Sequence, residues 1–132
     1  MTEVKNSPLE GDSRLAARLG SEIEGDVWFD AFSRGRYSTD ASAYQIEPIG
    51  VVVPRTWQDV ISAIQIAADE EIAVLPRGAG TSQCGQTVGQ ALVIDTSAYL
   101  NSAIKLDPDR QRVCVEPGMV LDHLNRRLSS HG

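Results

Sequence analysis

The sequence predicts an α+β fold: a small three-stranded parallel sheet of the strand–helix–strand type, a hairpin, and packed helices. Three observations carry this. A β-branched run at residues 49–53, a helical repeat opening at Thr56 and a short apolar run at residues 72–75 follow one another. That order spells a βαβ unit, which spans roughly thirty residues and whose strands lie parallel. A further apolar run at 91–95 supplies the third strand. Two short runs on either side of Asp107-Pro108-Asp109 read as a hairpin closed by turn residues.

The elements follow in order. Residues 1–11 read as a loose terminus. Asp12 or Ser13 can cap a short helix with Leu15, Ala16 and Leu19 on one face, ended by Gly20. In residues 26–34, Val27, Trp28, Phe29 and Phe32 make an apolar packing face at helical or turn spacing, and Gly35 stops it. Residues 36–47 are polar and aperiodic, hence an extended loop. Pro54 closes the strand at 49–53. Thr56 with Asp59 three residues on resembles a capping box. Val60, Ile61, Ile64 and Ala67 or Ala68 continue at a 3.6 period, and Glu70 and Glu71 end the helix. Residues 76–90 form a loop with Gly78, Gly80, Gly85 and Gly89. Strands at 104–107 and 113–116 make the hairpin. Pro117-Gly118 breaks the second, and residues 119–128 form a helix with Leu121, Leu124 and Leu128 on one face.

Composition bounds the function. The chain has 132 residues, 42% hydrophobic and 23% charged, ordinary for one globular domain with a modest core. A net charge of −6 speaks against broad nucleic-acid binding, which needs a basic face. It leaves a phosphate ligand open, because backbone N–H groups bind phosphate without cations. Cys84 and Cys114 form no C-x-x-C pair, so no zinc or iron–sulfur site is expected; both are expected as buried thiols. The first ten residues are polar and acidic, unlike a secretory signal. No apolar stretch nears the roughly 20 residues of a membrane span. The expectation is a cytoplasmic protein without a membrane segment.

The loop after residue 75 holds the candidate chemistry. Gly78 and Gly80 let the backbone approach a ligand closely, Thr81 and Ser82 add hydroxyl donors, and the loop sits at the end of a parallel strand where ligands collect. Successive N–H groups there can form an anion-binding concavity. The dinucleotide fingerprint G-x-G-x-x-G fails, because Gln83 stands in place of the third glycine. The nucleoside-triphosphate loop fails at Gln86, which replaces the lysine. A loop that wraps a diphosphate with no helix behind it is left, beside a plain connection that binds nothing. Arg77 could reach a phosphate or pair with an acid. His123 and His131 lack partners for a triad, Asp107 and Asp109 are turn residues, and Arg126-Arg127 is a solvated helix face. No catalytic or metal-ligating residue is assigned.

Pro76-Arg77-Gly78-Ala79-Gly80-Thr81-Ser82 with Gly85-Gln86 resembles the phosphate loop of the vanillyl-alcohol oxidase / p-cresol methylhydroxylase (PCMH) type of FAD-binding domain. The strand, Pro54 and the helix opening at Thr56-Trp57-Gln58-Asp59-Val60 resemble that family's opening. Val113-Cys114-Val115-Glu116-Pro117-Gly118 resembles its later strand and turn. Arg36-Tyr37-Ser38-Thr39-Asp40, Tyr44 and Pro48 are similar to the lead-in of the glycolate oxidase and D-lactate dehydrogenase branch. The resemblance implies FAD as cofactor, with Pro76, Arg77, Gly78, Ala79, Gly80, Thr81 and Ser82 about the diphosphate. Gly85 and Gln86 would lie on its far side, and Pro117 and Gly118 near the ribityl chain or flavin ring. It implies a lead-in over residues 1–45 and the N-terminal half of the FAD domain over 46–132. The longer parent would oxidise a D-2-hydroxy acid such as D-lactate or glycolate, a substrate bound only by that parent. The chain itself would be an inactive fragment that could self-associate through an unfinished face. The competing expectation is a module that folds without binding flavin.

Overall fold

The computed structural model describes residues 13–131, and the loose terminus expected over residues 1–11 lies outside them. Helix α1 (Ser13–Glu22), strand β1 (Asp26–Trp28) and helix α2 (Ala31–Arg36) come first. Strand β2 (Gly50–Val53), helix α3 (Trp57–Asp69) and strands β3 (Val74–Arg77) and β4 (Leu92–Asp95) follow. Hairpin strands β5 (Ala103–Asp107) and β6 (Arg112–Val115) and helix α4 (Leu121–Leu128) complete the α+β fold.

The main sheet has four strands in the order β1-β2-β4-β3. β4 pairs parallel with both β2 and β3. The two strands of the βαβ unit are therefore parallel but not neighbours. β1 adds an antiparallel edge, with Val27 opposite Val52. This corrects the three-stranded expectation. It also splits residues 26–34, read as one apolar face, into a strand and a helix. β2 offers an open edge whose backbone groups need partners, and Val27 suits a strand. The Asp30 carboxylate accepts the Ser33 N–H at 2.9 Å and caps α2, so the helix begins only after Phe29. Gly35 does not stop α2, which runs to Arg36. Phe32 is 76% exposed and takes no part in the packing face.

The central strands β2 and β4 are buried along their whole length, as expected for a parallel sheet covered on both faces. One face packs Val52, Leu92 and Ile94 against Leu15 and Leu19 of α1 and Ala63, Ile66 and Ala67 of α3. The other packs Val51, Val53 and Val93 against Tyr37. α1 continues through Gly20 to Glu22 because Leu19 and Ile23 on either side are both buried. α3 opens with the expected capping box, the Thr56 hydroxyl accepting Asp59 N–H at 3.1 Å and Asp59 returning to Thr56 N–H. Its buried face is not the expected one. Asp59, Ala63, Ile66 and Ala67 are buried, whereas Ile61 and Ile64 are 49% and 46% exposed. The sheet takes the side with the two alanines, where a helix can approach closely.

β3 lies two residues later than the run at 72–75. The Ile72 N–H bonds back to Ala67 O at 2.8 Å, so residues 72–73 serve to leave the helix. β3 is a sheet edge paired only with β4, which is why Pro76 is tolerated in it. The hairpin falls within a residue of expectation. α4 starts at Leu121 rather than 119, because Met119 N–H is engaged in a turn to Glu116 O. Both cysteines are exposed, against expectation: Cys84 lies on the loop after β3, and Cys114 on a hairpin outside both core clusters. No helix among the described residues is long and apolar enough to cross a membrane.

Candidate cofactor site

The loop proper starts at Gly78, at the carboxyl end of β3, where ligands of open α/β sheets gather. No helix intervenes between β3 and β4. Gly80 and Gly85 have φ of +69° and +77°, left-handed conformations that a side chain would strain. Among the described residues, the main-chain N–H groups of residues 78–83 donate no hydrogen bond to a protein acceptor. Residues 76–87 contain no Asp or Glu. A Cβ added at Gly78 would meet nothing within 4 Å. A row of free N–H donors on open backbone, without a competing carboxylate in the loop, fits the oxygens of a diphosphate.

The loop is held from behind by Arg77. Its Nη1 donates to Tyr37 O at 3.3 Å and Thr87 O at 3.2 Å, and its Nη2 to Thr39 O at 2.9 Å. Its guanidinium carbon lies 5.0 Å from the centre of the Tyr37 ring. Of the two partners considered for Arg77, the acid does not apply: among the described residues it makes no ion pair. The Tyr37 hydroxyl donates to Asp95 Oδ2 at 2.6 Å, and Asp95 Oδ1 accepts Ser97 N–H at 2.8 Å. Burial first, and the Asp95 carboxylate second, push the Tyr37 phenol above its ordinary range.

A second clasp closes the loop's far end. The Thr87 hydroxyl donates to Asp40 Oδ2 at 2.9 Å, and Ser42 N–H donates to Asp40 Oδ1 at 2.8 Å. Hydrogen bonding from Ser42, with Thr87 contributing, holds the Asp40 carboxyl down at about 2. Ala41 N–H donates to Gly80 O at 3.1 Å. The Tyr44 ring lies against Gly85, where an added Cβ would come within 2.7 Å of it. The polar segment before β2 is thus one wall of the loop.

The residues named from sequence do not all converge. Gly78, Ala79, Gly80, Thr81 and Ser82 form the open run. The Gln86 amide oxygen turns back to accept Cys84 N–H at 3.2 Å, closing the loop on itself. Pro117 comes from far along the chain to line, with Pro76, Arg77 and Gly78, an apolar groove of about 360 Å³. Gly118 is buried and does not line it; its N–H bonds Leu100 O at 2.8 Å, and an added Cβ would strike the Thr96 carbonyl. His123 and His131 are exposed. Among the described residues no cluster of His, Cys, Asp or Glu could hold a metal. Sequence reasoning missed Tyr37, Asp40, Tyr44 and Asp95 as supports of the loop. The available signal was an aperiodic segment crowded with hydroxyls and tyrosines.

A family model described as FAD binding domain matches residues 48–132. The chain is 38% identical over 134 aligned positions to D-2-hydroxyglutarate dehydrogenase of Escherichia coli K12, covering 96% of this chain and 13% of that protein. It is 28% identical to glycolate oxidase subunit GlcD of Bacillus subtilis, covering 84% of this chain and 24% of that one. The chain therefore spans a quarter or less of these relatives. The fold superposes on p-cresol methylhydroxylase with substrate bound at a TM-score of 0.71 and 15% identity, over 91% of this chain and 25% of the other. With the match extending from Pro48 through the glycine loop and the hairpin, the chain belongs to the FAD binding domain family.

Proposed function

We propose that the loop at residues 78–83 cradles the diphosphate of FAD in a flavin-dependent dehydrogenase or oxidase of D-2-hydroxy acids. Residues 46–132 are the first part of its FAD-binding domain, and the segment before them is a lead-in that buttresses the loop. The observation that carries this reading is the run of N–H donors without protein acceptors at the end of β3. The relatives' names, D-2-hydroxyglutarate dehydrogenase and glycolate oxidase, support the substrate class.

Within this reading the chain binds and orients. Gly78, Ala79, Gly80, Thr81 and Ser82 present donors to the diphosphate, while Gly85 and Gln86 shape the far side. Pro117, on the wall of the apolar groove, excludes water beside Pro76. Bound flavin supplies the hydride acceptor for the hydroxy acid's α-carbon. No group in this chain is assigned to the acid–base chemistry.

Titration of the purified chain with FAD, followed by flavin fluorescence, tests the reading. Saturable quenching that ADP competes away and riboflavin does not is the expected result. Binding of riboflavin as tightly as FAD, or no FAD binding, overturns it. The chain alone is expected not to oxidise D-2-hydroxyglutarate, D-lactate or glycolate.

A further inference from the structure

We infer that Arg77 is a positioning residue for the diphosphate: it sets the shape of the loop's main chain and does not contact phosphate. The inference rests on the reading of residues 78–83 as the cradle. Arg77 is the last residue of β3, and Thr87 lies at the other end of the loop. One Arg77 nitrogen bonds the carbonyls of both Thr87 and Tyr37, and another bonds that of Thr39. A single side chain therefore ties the two ends of the loop to each other and to the lead-in.

The half-buried guanidinium is also flanked by two neighbours. The Tyr37 ring covers it at 5.0 Å. Gly80 packs against it so closely that an added Cβ would stand 2.5 Å from Nη2. Gly80 in turn keeps φ at +69° and passes its carbonyl to Ala41 N–H. The chain of effect runs from Arg77 through Gly80 to the N–H groups on either side of it. Tyr37 itself is buried and its hydroxyl is bonded to Asp95, which fixes the orientation of the ring beside Arg77. A planar fork holds several donors in fixed, separated directions and lies flat on a ring; a lysine ammonium gathers its donors at a single point. Yet lysine is a good point charge for phosphate. The Arg77→Lys variant therefore separates positioning from direct contact.

The test uses the 132-residue chain, R77K and R77M, with titrations of FAD, ADP and riboflavin and with amide hydrogen exchange. Both variants should bind FAD and ADP about tenfold or more weakly, the loss of one charged hydrogen bond's worth of order. Riboflavin binding should not change. Exchange at the Ala41 amide should quicken in both, while the Val93 amide in β4 stays protected and reports an intact fold. R77K binding FAD and ADP as the wild type does overturns the inference, as does weakened binding with Ala41 exchange unchanged. Unfolding of both variants overturns it too, since the residue would then serve the fold rather than the cradle. Wild-type chain whose FAD binding ADP cannot compete overturns the cradle reading itself, a result independent of either variant.

Discussion

The Tyr37 hydroxyl meets Asp95 Oδ2 at 2.6 Å, a buried hydrogen bond between residues 58 positions apart that joins the lead-in to the end of β4. It seats the ring on which Arg77 stacks. Among the described residues, Tyr37→Phe leaves the Asp95 carboxylate with only the Ser97 N–H. The expected cost is about 1–3 kcal/mol, measured by urea unfolding. Because the folded phenol titrates above its unfolded value, its contribution is fully present below about pH 10 and is lost as pH rises through the folded value. The alkaline fall in stability should shrink in Y37F.

Asp59 should be costly to remove. It is 2% exposed and accepts N–H bonds from Glu24 at 2.9 Å, Arg55 at 2.8 Å and Thr56 at 3.3 Å. Burial pushes its carboxyl up, but these bonds outweigh it, and the net shift is downward. Its stabilising contribution is therefore present above the unfolded value near pH 4 and lost as pH falls through the folded value. Asp59→Ala should cost about 2–3 kcal/mol and flatten the acid limb of the stability curve.

Two glycines of the loop should behave differently. Gly80 has positive φ and packs on Arg77, so Gly80→Ala should cost about 1–3 kcal/mol and lower the thermal midpoint. Gly78 has open space about it. Gly78→Ala should leave the midpoint nearly unchanged while weakening FAD binding, since under the proposed cradle its methyl would enter the diphosphate's space. Calorimetry paired with FAD titration reads both.

The face of α3 can be read by substitution. Ile66 is 1% exposed, so Ile66→Ala should cost about 2–5 kcal/mol. Ile61 is 49% exposed, and Ile61→Gln should stay within about 0.5 kcal/mol of wild type. Equal losses at the two positions would refute the observed orientation of the helix.

Much of the fold was legible because its signals are local. The Thr56 and Asp59 pair marks the start of α3, the β-branched run marks β2, and the glycines mark the loop. Gln83, Gln86 and the lack of a helix after the loop spoke against two nucleotide loops. The ordered motifs from Pro76 to Gly118 identified the family, and with it FAD.

Where local signals were ambiguous, the rest of the chain decided. Periodicity could not choose between two apolar sides of α3, because only the sheet determines which side it covers. Val27 and Trp28 read as part of a helical or turn face until β2 offered an edge. The cysteines looked like buried thiols by residue type, yet both fall where no second layer covers them.

The sequence by itself determined that a glycine-rich loop follows a parallel strand, that no helix backs it, and that its family binds FAD. Tertiary structure alone decided what holds that loop in shape. Arg77 bonds carbonyls 38 and 40 residues earlier in the chain, and Thr87 reaches Asp40 across 47. Propensity and periodicity extend over a few residues; contacts at such separations exist only once the sheet has brought their ends together.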